Sequence, residues 1–171
     1  SKGIKADMLT DYLNDAHMNL RDVQPREDVI LYNPKKGIRY TRRLQLAMPE
    51  FKFVPLVNMT SNEISDWCNR AKVYIDFGHH PGKDRMPREA VIAGCCLITG
   101  RQGAANFEED IFIPKTYKID ESSARFELDS SAVINKIFES FDVTTLDFNA
   151  YRERIKREKS VFMHQVKNIF H

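Results

Sequence analysis

The chain contains no apolar run approaching the roughly 18 residues that a bilayer-spanning helix requires, so no membrane span is expected. Its first residues show no signal-peptide pattern. Cysteine is scarce and odd in number: Cys68, Cys95 and Cys96. Two of these adjoin in an apolar stretch, where they read as small buried hydrophobes. No CxxC or other metal-ligand spacing is present, which points to a reducing, cytoplasmic setting and to no metal site. Charge of neither sign dominates, because 26 Lys and Arg against 24 Asp and Glu leave +2. Duplex-binding surfaces show a strong basic excess, so nucleic acid is not an expected partner.

What is present is ordinary for a soluble globular protein. The 171 residues are 42% hydrophobic and 29% charged, enough for one domain, or one domain with a helical appendage. Residues 1–26 read as one helix and a linker, 27–145 as the domain, and 146–171 as a C-terminal helix. In the first segment the expected helix covers Ile4 to Leu20, with Leu9, Tyr12 and Leu13 on its buried face. The chain opens at Ser1 without an initiator Met, so a piece of a longer protein is expected.

The centre alternates regularly. Val29–Tyr32 is a strand candidate, followed by the turn Asn33-Pro34-Lys35-Lys36-Gly37 and a helix that stops at Pro49. Phe51–Val57 is extended but interrupted by Pro55, which removes a ladder donor and marks either an edge strand or one that ends in a bulge. Thr60 and Glu63 make a capping box ahead of the stripe Ile64, Trp67, Cys68 and Ala71. Val73–Phe77 is a third strand. The polar loop Gly78–Met86 leads into a helix with Pro87 in its first turn and Gly94 at its C-terminal cap. Cys95–Thr99 is a fourth strand.

Strand starts recur about every 21 to 23 residues with helices between them. This is the pattern of βαβ units, and it predicts a doubly wound, Rossmann-like α/β fold with a parallel sheet. Beyond Gly103 the pattern loosens to a short apolar segment at Ile111–Pro114, a helix over Ser131–Phe141, and a long terminal helix. That helix carries Tyr151, Ile155, Phe162, Val166 and Ile169 on one side. Its basic residues (Arg152, Arg154, Lys156, Arg157, Lys159) are mixed with Glu153 and Glu158, as on a solvated face. Docking to an anionic membrane surface is the other reading.

Three loops at strand ends could carry chemistry. Lys35, Lys36 and Gly37 precede a helix N-terminus, whose free N–H groups and partial charge suit a phosphate, although a solvated turn has the same composition. The loop Gly78–Glu89 holds adjacent His79 and His80, which point in different directions and chelate poorly. Its Gly82, Lys83 and Arg85 read better as an anion cradle. Glu89 in the following helix could accept ribose hydroxyls, or could simply favour the helix dipole. Gly100 and Gly103 suggest a tight turn passing near a ligand, and a plain turn has the same composition.

The run from Val73 to Gly100, through His80-Pro81-Gly82-Lys83-Asp84-Arg85 and Pro87-Arg88-Glu89-Ala90 to Gly94, resembles the donor-binding half of GT-B-fold glycosyltransferases. The nearest likeness is to the bacterial group 1 type used in surface polysaccharide assembly. The resemblance covers about Val29 to Lys118. It implies that Glu89 binds the ribose of a nucleotide sugar and that Lys35, Lys36, Gly37, Gly82, Lys83 and Arg85 contact its diphosphate. No metal is obligatory, and no catalytic residue is assigned. Retaining members carry a glutamate eight residues before the ribose ligand, near the transferred sugar. Here that position is Pro81, so either sugar recognition differs or His80 or a neighbour takes part of the role; His80 and Gly103 are the candidate sugar contacts. The implied partners are a saccharide or lipid-linked acceptor and a preceding N-terminal domain, at the inner face of the cell membrane. The alternative is a non-catalytic Rossmann-like module for nucleotide sensing or protein interaction. A phospho-receiver fits poorly, because lysines rather than acids follow the first strand.

Overall fold

The structure, a computed structural model, describes residues 9–15, 18 and 25–170. Four strands form one all-parallel sheet: β1 (Glu27–Tyr32), β2 (Lys52–Pro55), β3 (Ala71–Asp76) and β4 (Cys96–Thr99), in the spatial order β2-β1-β3-β4. Ile30 and Leu31 of β1 pair with Phe53 and Val54 on one side and with Val73 and Tyr74 on the other. Strands β1, β3 and β4 read as nearly continuous apolar runs because both of their faces are covered. Their central residues, Ile30 through Ile98, are almost fully buried. β2 is the edge strand that Pro55 predicts, and it is only half-buried.

The helices are α1 (Ile38–Ala47), α2 (Ser61–Arg70), α3 (Arg85–Ile92), α4 (Phe126–Glu139), α5 (Phe141–Thr144) and α6 (Asn149–Phe170). α1 packs beside α4, and α2 beside α3. Right-handed crossovers with the order reversing at β1 place these pairs on opposite faces. The fold is therefore α/β, doubly wound and Rossmann-like, with a long C-terminal helix.

α2 begins with the expected capping box, Thr60 and Glu63 each satisfying the other's backbone N–H. Gly94 ends α3 at φ 102°, in the left-handed region. Tyr40 of α1, Phe77 and Phe126 of α4 stack on one another with centroids 5.0 to 6.4 Å apart, which fastens one helical layer beneath the carboxyl edge of the sheet.

Three expectations need correction. The described residues 9–14 are irregular rather than helical, and the rest of the expected N-terminal helix lies outside the described residues. Only Leu13 of the three apolar residues there is buried. The reason is tertiary: this segment lies along α6. Thr10 donates to the Gln165 amide oxygen at 2.9 Å, and Tyr12 stacks on Phe162 at 5.0 Å. Second, α4 starts five residues before the expected Ser131, because buried Phe126 anchors its first turn. Third, the charges of the terminal helix do not all face solvent. Arg152 and Glu158 are 9% and 5% exposed; Arg152 is recruited by the carbonyls at the end of α3, and Glu158 by the cations at its start.

Arg152 donates to the carbonyls of Val91, Gly94 and Thr145, to the Asn149 side chain and to the Thr145 hydroxyl. Replacing it with Met would remove all five of these donated bonds from a buried site, at an expected cost of roughly 3 kcal/mol. Thr60→Ala, which removes one exposed cap, should cost about 1 kcal/mol. Urea denaturation of both variants checks the ranking; equal losses would show the Arg152 clamp to be incidental.

Candidate functional site

Strand order reverses between β1 and β3, so the loops that follow these two strands leave in opposite directions, and a doubly wound sheet has its crevice at such a reversal on the carboxyl edge. This is where sheets of this kind bind ligands. The β1 loop closes on the β3 loop through two glycines. Gly37 has φ 57°, and a Cβ there would overlap the Phe77 carbonyl. Gly78 has φ 92°, and a Cβ there would stand 3.1 Å from the Gly37 Cα. The close approach sets Lys36 above the end of β3.

The Lys36 ammonium contacts the carboxylates of Asp84, from the loop, and Asp76, the last residue of β3, the latter at 3.4 Å. His80 lies between them with its side chain wholly buried. Its Nε2 is 3.1 Å from the Asp76 carbonyl and can only donate to it. Nδ1 of the neutral ring is then a bare lone pair, 3.1 Å from an Asp84 carboxylate oxygen but out of hydrogen-bonding alignment. Burial, helped by the Lys36 charge, holds the imidazole below its ordinary pKa. Burial pushes the Asp76 carboxyl up to about 7, against the pull of Lys36. The ligand atoms of Asp76, His80 and Asp84 all lie within 4.8 Å of one another. That donor set is of the kind that takes a divalent cation, and the ammonium of Lys36 already bridges its carboxylates.

The third loop closes the floor. His80 and Gly103 form a parallel bridge, with Ala104 N–H donating to the His80 carbonyl at 2.9 Å. Gly103 sits at φ 62°, where a Cβ would overlap that carbonyl. Glu121, 3% exposed, accepts from the backbone N–H groups of Gly78 at 2.7 Å and Arg101 at 3.0 Å. One carboxylate thus ties the loops after β3 and β4 together.

The structure brings Lys36, Gly37, His80 and Gly103 into one place. Lys35 is exposed beside them, its backbone N–H held by Asn33. Gly82 faces open space. Lys83 points elsewhere, to Glu158 of α6 at 2.7 Å. Arg85 pairs with Glu89 one helical turn later, at 3.1 Å, and Glu89 is 9% exposed. Asp76 and Asp84 were not among the expected site residues. Their signal was the spacing Asp76-x3-His80-x3-Asp84, obscured because the first ends a strand and the last precedes a helix. Glu121 has no local signal at all.

Both helices that start at the crevice lack side-chain caps. Gly37 has none to offer α1, and Asp84 turns its carboxylate away from α3 toward Lys36 and His80. Neither helix has an acid in its first turn. Their N-terminal partial charges therefore remain available to an anion. Comparison with protein-family models and with curated proteins finds no match.

The raised pKa of Asp76 has a stability consequence. The folded state holds this proton up to about pH 7, whereas an unfolded Asp releases it near pH 3.9. Asp76 therefore contributes stability at low pH that is lost as pH rises through that window. His80, with its depressed pKa, acts in the opposite sense: its contribution is lost as pH falls. Wild type should lose on the order of 3 kcal/mol more than Asp76→Asn between pH 4 and pH 8. Denaturation at both pH values measures the difference, and identical pH slopes would exclude this role for Asp76.

Proposed function

We propose that this chain is the donor-binding half of a glycosyltransferase, holding a nucleoside diphosphate sugar in the crevice between β1 and β3. The observation that carries the reading is the pair of uncapped helix N-termini, α1 and α3, flanking one crevice with Lys35 and Lys36 at its rim. Two helix dipoles and two lysines favour a diphosphate in one place. Glu89 would take the ribose hydroxyls, exchanging its bond to Arg85 for them, and Arg85 would turn to the phosphates. Lys83 joins them only by leaving Glu158.

The chemistry is glycosyl transfer. The bond from the anomeric carbon to the diphosphate oxygen breaks, and the acceptor hydroxyl oxygen bonds to that carbon as it loses its proton. Charge grows on the departing diphosphate, where Lys36 and the helix termini stabilise it without an obligatory metal. A second Rossmann-like domain would supply the saccharide or lipid-linked acceptor. The setting would be the cytoplasmic face of a membrane, and no described helix is long and apolar enough to cross one.

Calorimetric titration with UDP, GDP and their sugar conjugates, with and without magnesium, tests the reading. One nucleotide should bind, and Lys36→Met and Glu89→Ala should each weaken it at least tenfold, the order expected for losing a charge-assisted hydrogen bond. Absence of binding by the wild type, or full affinity in both variants, would refute it.

A further inference from the structure

Two clefts lie side by side beyond the carboxyl end of β4, away from Lys36 and its carboxylates. The inner one, about 270 Å³, is lined by Arg101, Asn106, Glu108, Lys115 and Lys118. The outer one, about 490 Å³, shares the three cations and adds Thr116, Ile119, Asp120, Ser123 and Val133 among others.

Lys118 sets the inner cleft apart. It is only 5% exposed, yet its ammonium makes one long hydrogen bond, 3.4 Å to the Phe107 carbonyl. Among the described residues no carboxylate lies within ion-pairing distance of it. An ammonium has three donors to satisfy, and burying one so poorly paired is costly. Burial lowers its pKa, opposed at longer range by Glu108, Asp110 and Glu109. A position that needed only packing would be better served by Met or Leu.

The two other cations are held around it. Arg101 is fixed, its Nε donating to the Lys118 carbonyl at 2.8 Å and its backbone N–H to Glu121. Lys115 stands one turn earlier at the exposed rim. Three cations less the one carboxylate of Glu108 leave the inner cleft with two positive charges, the complement of a phosphate monoester dianion. The outer cleft suits the remainder of an ester. The hydroxyls of Thr116 and Ser123 and the carboxylates of Asp120 and Asp129 match sugar hydroxyls, Ile119 and Val133 offer apolar contact, and the two carboxylates disfavour a second phosphate.

We propose that this double cleft binds a phosphorylated sugar, its phosphate in the inner cleft against Lys118, Arg101 and Lys115, and its sugar in the outer one. The site uses none of the residues proposed to contact the nucleotide, although Glu121 ties the Arg101 backbone to the loop after β3.

Titration of the full chain with glucose 6-phosphate, inorganic phosphate and glucose tests this, together with thermal unfolding of each variant. The sugar phosphate should bind saturably and more tightly than inorganic phosphate, and glucose not at all. Lys118→Met and Lys115→Met should each weaken binding at least tenfold, while Lys36→Met leaves it intact. Without ligand, Lys118→Met should melt no lower than wild type, since it removes a poorly paired buried charge. Unchanged affinity in both Lys118→Met and Lys115→Met would overturn the proposal. So would loss of binding in Lys36→Met alone, which would place the phosphate in the β1/β3 crevice. Inorganic phosphate binding as tightly as the ester would remove the sugar. A lower melting temperature for Lys118→Met, with binding intact in Lys115→Met, would make Lys118 a structural residue.

Discussion

Three buried guanidiniums hold α3, and the rest of the molecule is arranged around that helix. At its C-terminal end Arg26 donates to the Ala93 carbonyl and, at 2.9 Å, to the carbonyls of Cys68 and Ala71. Arg152 takes Val91 and Gly94 from the other side. These carbonyls lie at and just beyond the C-terminal ends of α2 and α3, where a cation also meets the negative end of the dipole. At the N-terminal end Arg88, 2% exposed, reaches Glu158 at 2.7 Å and Asp11 at 2.6 Å and binds the carbonyls of Lys83 and Asp84. One short helix is thereby joined to β3, to α2, to α6 and to the N-terminal segment. Arginine suits such sites because its planar fork serves several acceptors at once and stays charged when buried.

This anchoring explains how the carboxyl edge is organised. With α3 fixed at both ends, the loop from Phe77 to Asp84 has little freedom, and Gly37, Gly78 and Gly103 let neighbouring backbones approach it where no other residue fits. Side chains that would otherwise repel are brought together: Asp76 and Asp84 share the Lys36 ammonium, with His80 between them. Lys36, Lys83 and Arg85 each have a carboxylate partner within the protein. A phosphate that engages them replaces an existing partner, so its affinity is a difference between two charge-assisted contacts and smaller than a count of cations implies. At the β4 clefts the balance differs, because Lys118 has no such partner.

Much of the fold was legible in the sequence because its causes are local. Continuous apolar runs such as Val29–Tyr32 and Cys95–Thr99 mark strands covered on both faces, Thr60 with Glu63 marks a helix start, and Pro55 marks an edge. Their alternation with helices, under the right-handed crossover rule, leaves few topologies other than a doubly wound sheet. Lys35, Lys36 and Gly37 were legible for the same reason, since a strand–turn–helix places them at a helix N-terminus whatever else happens.

The rest depended on contacts between residues far apart in the chain. Lys83 and Arg85 look like one cradle in sequence, yet Glu158, far along the chain, claims the first and Glu89 the second. Residues 9–14 carry spaced apolar side chains but lie irregular along α6, because Gln165 and Phe162 offer better partners than a helix of their own. Glu121 and Lys118 stand in a stretch with no periodic signal, and each matters only because the chain returns there to the end of β4. Local propensity and patterning, acting within a few residues, determined the strands, the parallel sheet and the edge at which its strand-end loops gather. Which charges meet which, and that Lys118 among the described residues is buried without a carboxylate partner, was decided only when folding brought α6 and the segment after β4 into place, because Coulomb and hydrogen-bond energies depend on distance in space.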